Sequence, residues 1–416
     1  MDTITHGIVV ALAGRAFFAG RDVPAISADG AVTQAESDPT ARVGITACTL
    51  GAIFPDIDVF AGPITHNPLA IMEWHRNITH SLVMLPIWAV LLAGATLPLA
   101  RRVGWKPPSF AKLLGIYAFG LGSHIFLDVI TNFGTMVWSP LNYSRVAWDW
   151  IFIVDLGFSG LALLPQFLAW CYREPAKFRV RAGAVWILFT GIACAAYAVA
   201  KVAGYGFAVW IVTATSALLA LIIFLPAQGR IGFRWTRSGW CRAGFGVICV
   251  YVALAAAAHR KALDYTANFA SAQRLHVEKI AALPLPPTLT HWTGVINTPE
   301  GVWRTTFHVP GGALERSQLY ADAEADRYVA EAEQLRDVQI YLWFARFPVW
   351  QVTQSDGQTV ADVTDVRFFH GESSEAGNNP RQPGRVSGMR SGAGFTFEIV
   401  FDSLGHVISH GFKRPE

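Results

Sequence analysis

The chain has 416 residues, of which 52% are hydrophobic and only 15% charged, with a formal net charge of +3. Soluble domains carry roughly 25% charged residues, so this balance excludes an ordinary soluble protein and points to a membrane. The small positive excess is concentrated in short connections between apolar segments and leaves no basic surface for nucleic acid.

Apolar segments follow one another along the first part of the chain. Residues 4–20 and 43–54 are short or interrupted. Residues 81–100, 110–130, 151–171, 182–204, 207–225 and 241–258 each approach the ~20 residues that a bilayer requires. The predicted fold is therefore mainly α, a polytopic transmembrane bundle of about eight helices over residues 1–259. The first segment has no positively charged leader and begins with Asp2 and His6, so it reads as part of the mature chain. Cys48, Cys171, Cys194, Cys241 and Cys249 lie in or beside apolar segments, which supports no disulfide framework.

Loop charge predicts the orientation. The connections 101–112, 173–181 and 230–242 are rich in Lys and Arg. With eight spans they share one side, which is cytoplasmic by the positive-inside rule. The N-terminus, the connections 56–79 and 131–150, and everything after the last span are then extracytoplasmic.

Residues 260–416 change character, with more charge, Pro and Gly, and read as a soluble extracytoplasmic α+β domain. Residues 260–282 have helical spacing and meet the Pro-rich stretch 284–287 as a stop. Strands are expected over 290–298 and 301–309, an acidic helix over 319–338, and strands again over 339–352, 359–369 and 394–401. The Gly/Ser/Asn/Pro-rich stretch 371–392 reads as a long loop. The scattered tail histidines have no ligand spacing, and the Trp residues near span ends fit an interfacial belt.

Four short motifs carry the chemistry: THG at Thr5–Gly7, PDID at Pro55–Asp58, HRNITH at His75–His80 and HIFLD at His124–Asp128. Ionisable side chains are costly in apolar helices, so their clustering marks a functional site. All four motifs fall on the predicted extracytoplasmic face. His124 and Asp128, and likewise Asp2 and His6, are four apart, a spacing that stacks both on one helix face toward one ion. Asp56 and Asp58 follow Pro55 and are expected in a turn with both carboxylates in one space. His75 and His80 are five apart, which puts His75 in the loop or first turn and His80 inside the helix. The expected donors are His6, Asp56, Asp58, His75, His80, His124 and Asp128, more than one tetrahedral ion needs, so two or more divalent ions, Zn²⁺ by donor chemistry, are expected. Arg76 is the candidate oxyanion partner. Asp149 and Asp155 stand open as further ligands or as partners orienting an imidazole.

The order THG, PDID, HRNITHS and SHIFLDVITNFGT resembles the bacterial YdjM-type family of membrane-bound metal-dependent hydrolases, grouped with the zinc-dependent phospholipase C and single-strand nuclease superfamily. That resemblance covers about residues 1–155 and implies zinc ions acting on phosphoesters. It carries over to His6, to Asp56 and Asp58, to His75 and His80, and to His124 and Asp128. Val9 and Val10 depart from the small residue that members often place after the TH pair. The expectation is an integral hydrolase of the bacterial inner membrane, cleaving an ester or phosphoester by a metal-bound hydroxide, with Asp56 or Asp58 as base. Membrane lipids are the expected partners and a lipid-derived substrate fits the location. The alternatives are a metal or proton transporter, whose relay of ionisable residues should continue through the spans, and a non-catalytic metal-stabilised scaffold.

Overall fold

The computed structural model describes residues 1–18, 24–26, 32–34, 40–202, 208–312, 314–323, 326–355, 357–368, 384–386 and 395–413. Its first part is a bundle of apolar helices. The chain enters through α1 (Thr3–Phe17), a two-stranded ladder of β1 (Pro24–Ile26) and β2 (Val32–Gln34), and α2 (Ala41–Ile53). The short α3 (Ala61–Thr65) and α4 (Ala70–Glu73) lead to α5 (Leu85–Arg102) and α6 (Phe110–Val129). Then come α7 (Leu156–Cys171), α8 (Phe178–Val202), α9 (Trp210–Phe224), the short α10 (Ile231–Arg234) and the long α11 (Arg237–Ala272). Among the described residues five helices are long and apolar enough to cross a bilayer, or six if the bent pair 70–80 and 85–102 is one span. With the shorter apolar helices α1 and α7, all eight predicted segments are helical.

Three boundaries differ from expectation for local reasons. The segment at 43–54 continues through a 3-10 turn (Phe54–Phe60) into α3, giving 25 residues of span length. The segment at 151–171 becomes helical only at Leu156, where the Asp155 side chain caps α7 by accepting from the Phe158 backbone at 3.0 Å. At 81–100 the helix begins at Leu85. Ser81 Oγ accepts from the backbone of Val83 at 3.0 Å, and Pro86 suits the first turn. His80 therefore ends a 3-10 turn (Ile78–His80) rather than lying inside the helix, and the chain bends by 74° before α5.

Beyond the bundle α11 runs without a break to Ala272. The expected helix over 260–282 ends there because Arg274 turns left-handed at φ 55°, a common way to close a helix. Pro284 is then not a helix stop but part of β3 (Lys279–Leu285), an edge strand, where a missing N–H is tolerated. The strands β4 (His291–Thr298) and β5 (Gly301–His308) form as predicted, followed by β6 (Leu314–Ala321).

The expected helix over 319–338 forms only over Arg327–Ala332 and from Arg336 onward, and its first part is overturned. Leu319 and Tyr320 belong to β6, and Asp326 caps the short α12 (Arg327–Ala332) by accepting from the Tyr328 backbone at 2.8 Å. The expected strand over 339–352 is instead split between α13 (Arg336–Phe344) and β7 (Pro348–Ser355). Val338, Tyr341 and Phe344 are buried at three-residue intervals, a helical rather than an alternating period. β8 (Gln358–Asp365), β9 (Gly384–Val386), β10 (Thr396–Phe401) and β11 (Val407–Phe412) complete two sheets. Their orders are β3-β4-β5-β6-β9, with β9 parallel to β6, and β11-β10-β8-β7, antiparallel throughout. Apart from β9, the predicted loop at 371–392 lies outside the described residues.

This C-terminal part packs on the bundle end that carries residues 54–80 and 131–150. One apolar core joins Leu69, Met72 and Phe133 to Tyr328, Tyr341, Phe344 and Phe397. Polar ties reinforce it. Arg346 grips Asp149 through two hydrogen bonds of 2.8 and 2.9 Å, and Arg367 Nη1 donates to the Asn132 carbonyl at 2.9 Å.

Candidate metal centre

The centre is built first by α6 and α2. His124 and Asp128, one turn apart, are buried on the same face of α6. The two helices touch at Gly120, where a Cβ would stand 2.6 Å from the Cys48 carbonyl, so only glycine allows this approach. As a result His124 Nδ1 reaches the Ala52 carbonyl at 2.5 Å. A carbonyl only accepts, so Nδ1 carries the proton. Nε2 then points inward, 3.4 Å from Asp128 Oδ2 and 3.5 Å from Asp56 Oδ1.

His80 repeats the pattern from the opposite side. Thr79 Oγ1 donates to Asp58 Oδ2 at 2.8 Å and stands 3.0 Å from His80 Nδ1, where it accepts. His80 Nε2 lies 3.2 Å from Asp128 Oδ2 and 3.3 Å from Asp56 Oδ1. Two imidazole nitrogens and two carboxylate oxygens thus face one small space with edges of 3.2 to 3.5 Å. Donors placed 2.0–2.1 Å from a tetrahedral ion are about 3.4 Å apart. His124 Nε2 and Asp128 Oδ2 have no hydrogen-bond partner, which is costly for buried polar atoms unless a cation stands between them. The donor set fits a divalent ion on both counts.

A second group overlaps the first. Asp56, Asp58, His75 and His80 offer ligand atoms within 4.8 Å of one another, as do Asp56, His80, His124 and Asp128. His75 Nδ1 is 2.7 Å from Asp58 Oδ1, in the turn before His80 as expected. The first group is closed: the side chains of His80 and His124 are fully buried. The second is half-open, with His75 14% and Asp58 9% exposed. Asp58 lines a cavity of about 480 Å³ together with Val59, Gly62, His66 and Asn67.

His6 belongs to neither four-donor group. Its Nε2 lies 3.1 Å from Asp128 Oδ1, its ring stacks on His124 at 3.7 Å, and its Nδ1 is without a partner. Arg76 does not face the cavity. Its fork is buried against Asp128 Oδ1 at 2.9 Å and Thr131 Oγ1 at 3.0 Å, over the Phe133 ring. Its backbone is left-handed at φ 61°, a conformation that costs a non-glycine residue roughly 1–3 kcal/mol, and it donates its N–H to Asp58 Oδ2 at 3.1 Å. With Oδ1 of Asp128 held by Arg76, Oδ2 is left facing the imidazoles.

The other acidic residues singled out in the sequence are engaged elsewhere. Asp2 does not share an ion with His6. It caps α1, accepting from the Thr5 backbone at 2.9 Å and from Thr5 Oγ1 at 2.7 Å, because a carboxylate one residue before a helix meets unpaired N–H groups first. Asp149 is taken by Arg346, and Asp155 caps α7 and accepts from Tyr251 at 2.6 Å.

Three orienting residues escaped sequence reasoning. Thr3 Oγ1 donates to Asp56 Oδ2 at 2.6 Å, and Thr79 bridges Asp58 and His80. Both stand inside or one turn from a recognised motif, which is the signal that was there. Arg145 holds the turn carrying His75 through the carbonyls of Met72 and His75; burial pushes its guanidinium down to about 9, still charged at neutral pH. Nothing near it in sequence announces that role.

The family model described as YdjM inner membrane protein matches residues 1–208, a stretch that contains every residue of the cluster. No curated protein and no solved structure matches the chain. With half of its 416 residues covered and its helices forming the expected multi-pass bundle, the chain belongs to the YdjM inner membrane protein family.

Proposed function

We propose that this protein is a metal-dependent hydrolase of the inner membrane that cleaves an ester or phosphoester at the extracytoplasmic surface. The observation that carries the reading is the convergence of His80 Nε2, His124 Nε2, Asp56 Oδ1 and Asp128 Oδ2 on one space, beside a second donor group that opens on a cavity. Bound divalent ions, Zn²⁺ by the imidazole and carboxylate donors, supply Lewis acidity to an ester or phosphoryl oxygen and acidify a water molecule. His80 and His124 hold the buried position and Asp56 joins the two groups. Asp58, at the cavity edge and hydrogen-bonded to His75, is the base that takes the proton from the attacking water. Arg76 positions Asp128.

The sidedness rests on charge. The basic connections 101–112, 173–181 and 230–242 join helix ends remote from the cluster. On α6 the cluster lies toward the far end of a 20-residue helix, about 21 to 27 Å from its start. The positive-inside rule makes the remote end cytoplasmic.

The test is hydrolysis by the purified full chain supplied with Zn²⁺, on an aryl phosphodiester, an aryl ester and phospholipid vesicles, with His124→Ala beside it. The wild type turns over at least one of these and the variant loses that activity. Equal rates from both forms, or none from either with metal bound, reject the assignment.

A further inference from the structure

A groove of about 1310 Å³ runs along the outer side of α1. Its floor is Ile4, Ile8, Ala11 and Arg15, spaced four, three and four residues apart and hence on one helix face. Ile45 and Ile53 of α2 form one wall, and Leu163 and Phe167 of α7 the other. α1 is much shorter than the 25-residue span Ala41–Thr65 on one side and α7 is likewise short, so a recess is left between the walls at hydrocarbon depth.

The two ends of the groove differ. One reaches Thr3, beside the metal centre. The other, at the opposite end of the bundle, is lined by Arg15, Arg42, Lys106 and Arg237, with Arg173 at the same mouth. No Asp or Glu lines the groove among the described residues. Arg15 Nη1 is steadied by Gln166 Oε1 at 2.6 Å, and Arg42 lies over the Trp105 ring at 5.6 Å, so two of these cations are held in place by neutral partners.

We propose that this groove binds an anionic phospholipid, its acyl chain lying along Ile4, Ile8 and Ala11 and its headgroup phosphate among Arg15, Arg42, Lys106 and Arg237. Hydrocarbon fills an apolar recess facing the bilayer, and a phosphate supplies the negative charge that none of the described lining residues provides. Basic pockets between transmembrane helices recognise anionic headgroups in this way. The lipid sits with its headgroup remote from the metal centre, so it is a bound lipid of the fold and not the hydrolysed one. The inference does not rest on the hydrolase reading.

The experiment uses the full chain purified in detergent and offered phosphatidylglycerol or phosphatidylcholine of identical acyl chains, with retained lipid counted by native mass spectrometry. Phosphatidylglycerol is retained preferentially. In Arg42→Gln/Lys106→Gln, which changes two exposed side chains, its retention falls by about 30-fold, the effect of two cations at about 1 kcal/mol each. Ile8→Trp fills the floor with the charges intact and loses the lipid as well. Unchanged metal content in each variant reports an intact bundle and is independent of lipid binding. Equal retention of the two lipids, a preference that survives the double variant, or a lipid still held by Ile8→Trp overturns the proposal.

Discussion

Arg76 Nη2 lies 2.9 Å from Asp128 Oδ1, and each side chain is 1% exposed. The pair is 52 residues apart in sequence and joins the turn after α4 to the end of α6. Its consequence is directional, since the carboxylate oxygen that Arg76 does not hold is the one that faces His80 and His124. Replacing Arg76 with Gln keeps the turn but removes the guanidinium from Asp128 Oδ1, leaving that oxygen with weaker anchors such as His6 Nε2 at 3.1 Å. Metal affinity is expected to fall by about 10- to 100-fold, the usual effect of losing a partner that orients a ligand, as read by competition with a chelator of known affinity.

The two overlapping donor groups make unequal predictions for their members. His80 and Asp56 belong to both groups, His75 only to the half-open one and His124 only to the closed one. His75→Ala therefore loses one equivalent of metal and retains the buried ion, whereas His80→Ala loses both. Elemental analysis of the two proteins, purified side by side, decides it; equal losses in both would mean that the groups do not act as separate positions.

The bidentate pair of Arg346 and Asp149 ties the C-terminal part to the connection that follows α6. Asp149 is 7% exposed and its partner 24%, so the pair is largely shielded from screening. Asp149→Ala leaves Arg346 without its carboxylate, and a loss of roughly 3 kcal/mol in stability is expected. Thermal unfolding and limited proteolysis around residues 273–278 measure it. The charge-reversed double variant Asp149→Arg/Arg346→Asp should recover part of the loss.

Acid should loosen the C-terminal sheets through Asp365. Burial opposes its charged form, but the Arg367 guanidinium at 2.7 Å and the backbone N–H groups of Arg346 and Arg367 outweigh it and hold its pKa below the usual carboxylate value. A carboxylate depressed on folding contributes stability above its unfolded pKa of about 3.9, and loses it as pH falls through the lower folded value. The midpoint of unfolding should therefore be flat at neutral pH and drop below about pH 4. Asp365→Asn lowers the plateau and flattens the acid limb; an acid limb of unchanged slope in that variant assigns the loss to other groups.

Much of the candidate centre was legible in the chain itself, because a carboxylate or imidazole in an apolar helix is expensive and stands out against its surroundings. His124 and Asp128 share a face because they are four apart, and Asp56 and Asp58 share a turn because Pro55 opens a helical end. In the tail, β4 and β5 were readable because the short turn Pro299–Glu300 separates two runs of strand-forming residues. The segment at 319–338 was not readable. Its acidic residues suit a helix surface equally well as a cap, and only packing of Tyr320 in a sheet and of Tyr341 on another distinguishes the two.

Sequence alone thus determined the membrane bundle, its apolar helical segments and the six candidate donors that converge in the centre, with His6 beside them rather than among them, since hydropathy and residue chemistry are local properties. Tertiary structure decided how those donors divide into two groups, which oxygen of Asp128 faces inward, and that Asp2, Asp149 and Asp155 serve as caps and a tie. Those outcomes depend on distances between helices, set by contacts such as Gly120 against Cys48, and no periodicity along one helix encodes how far it stands from the next.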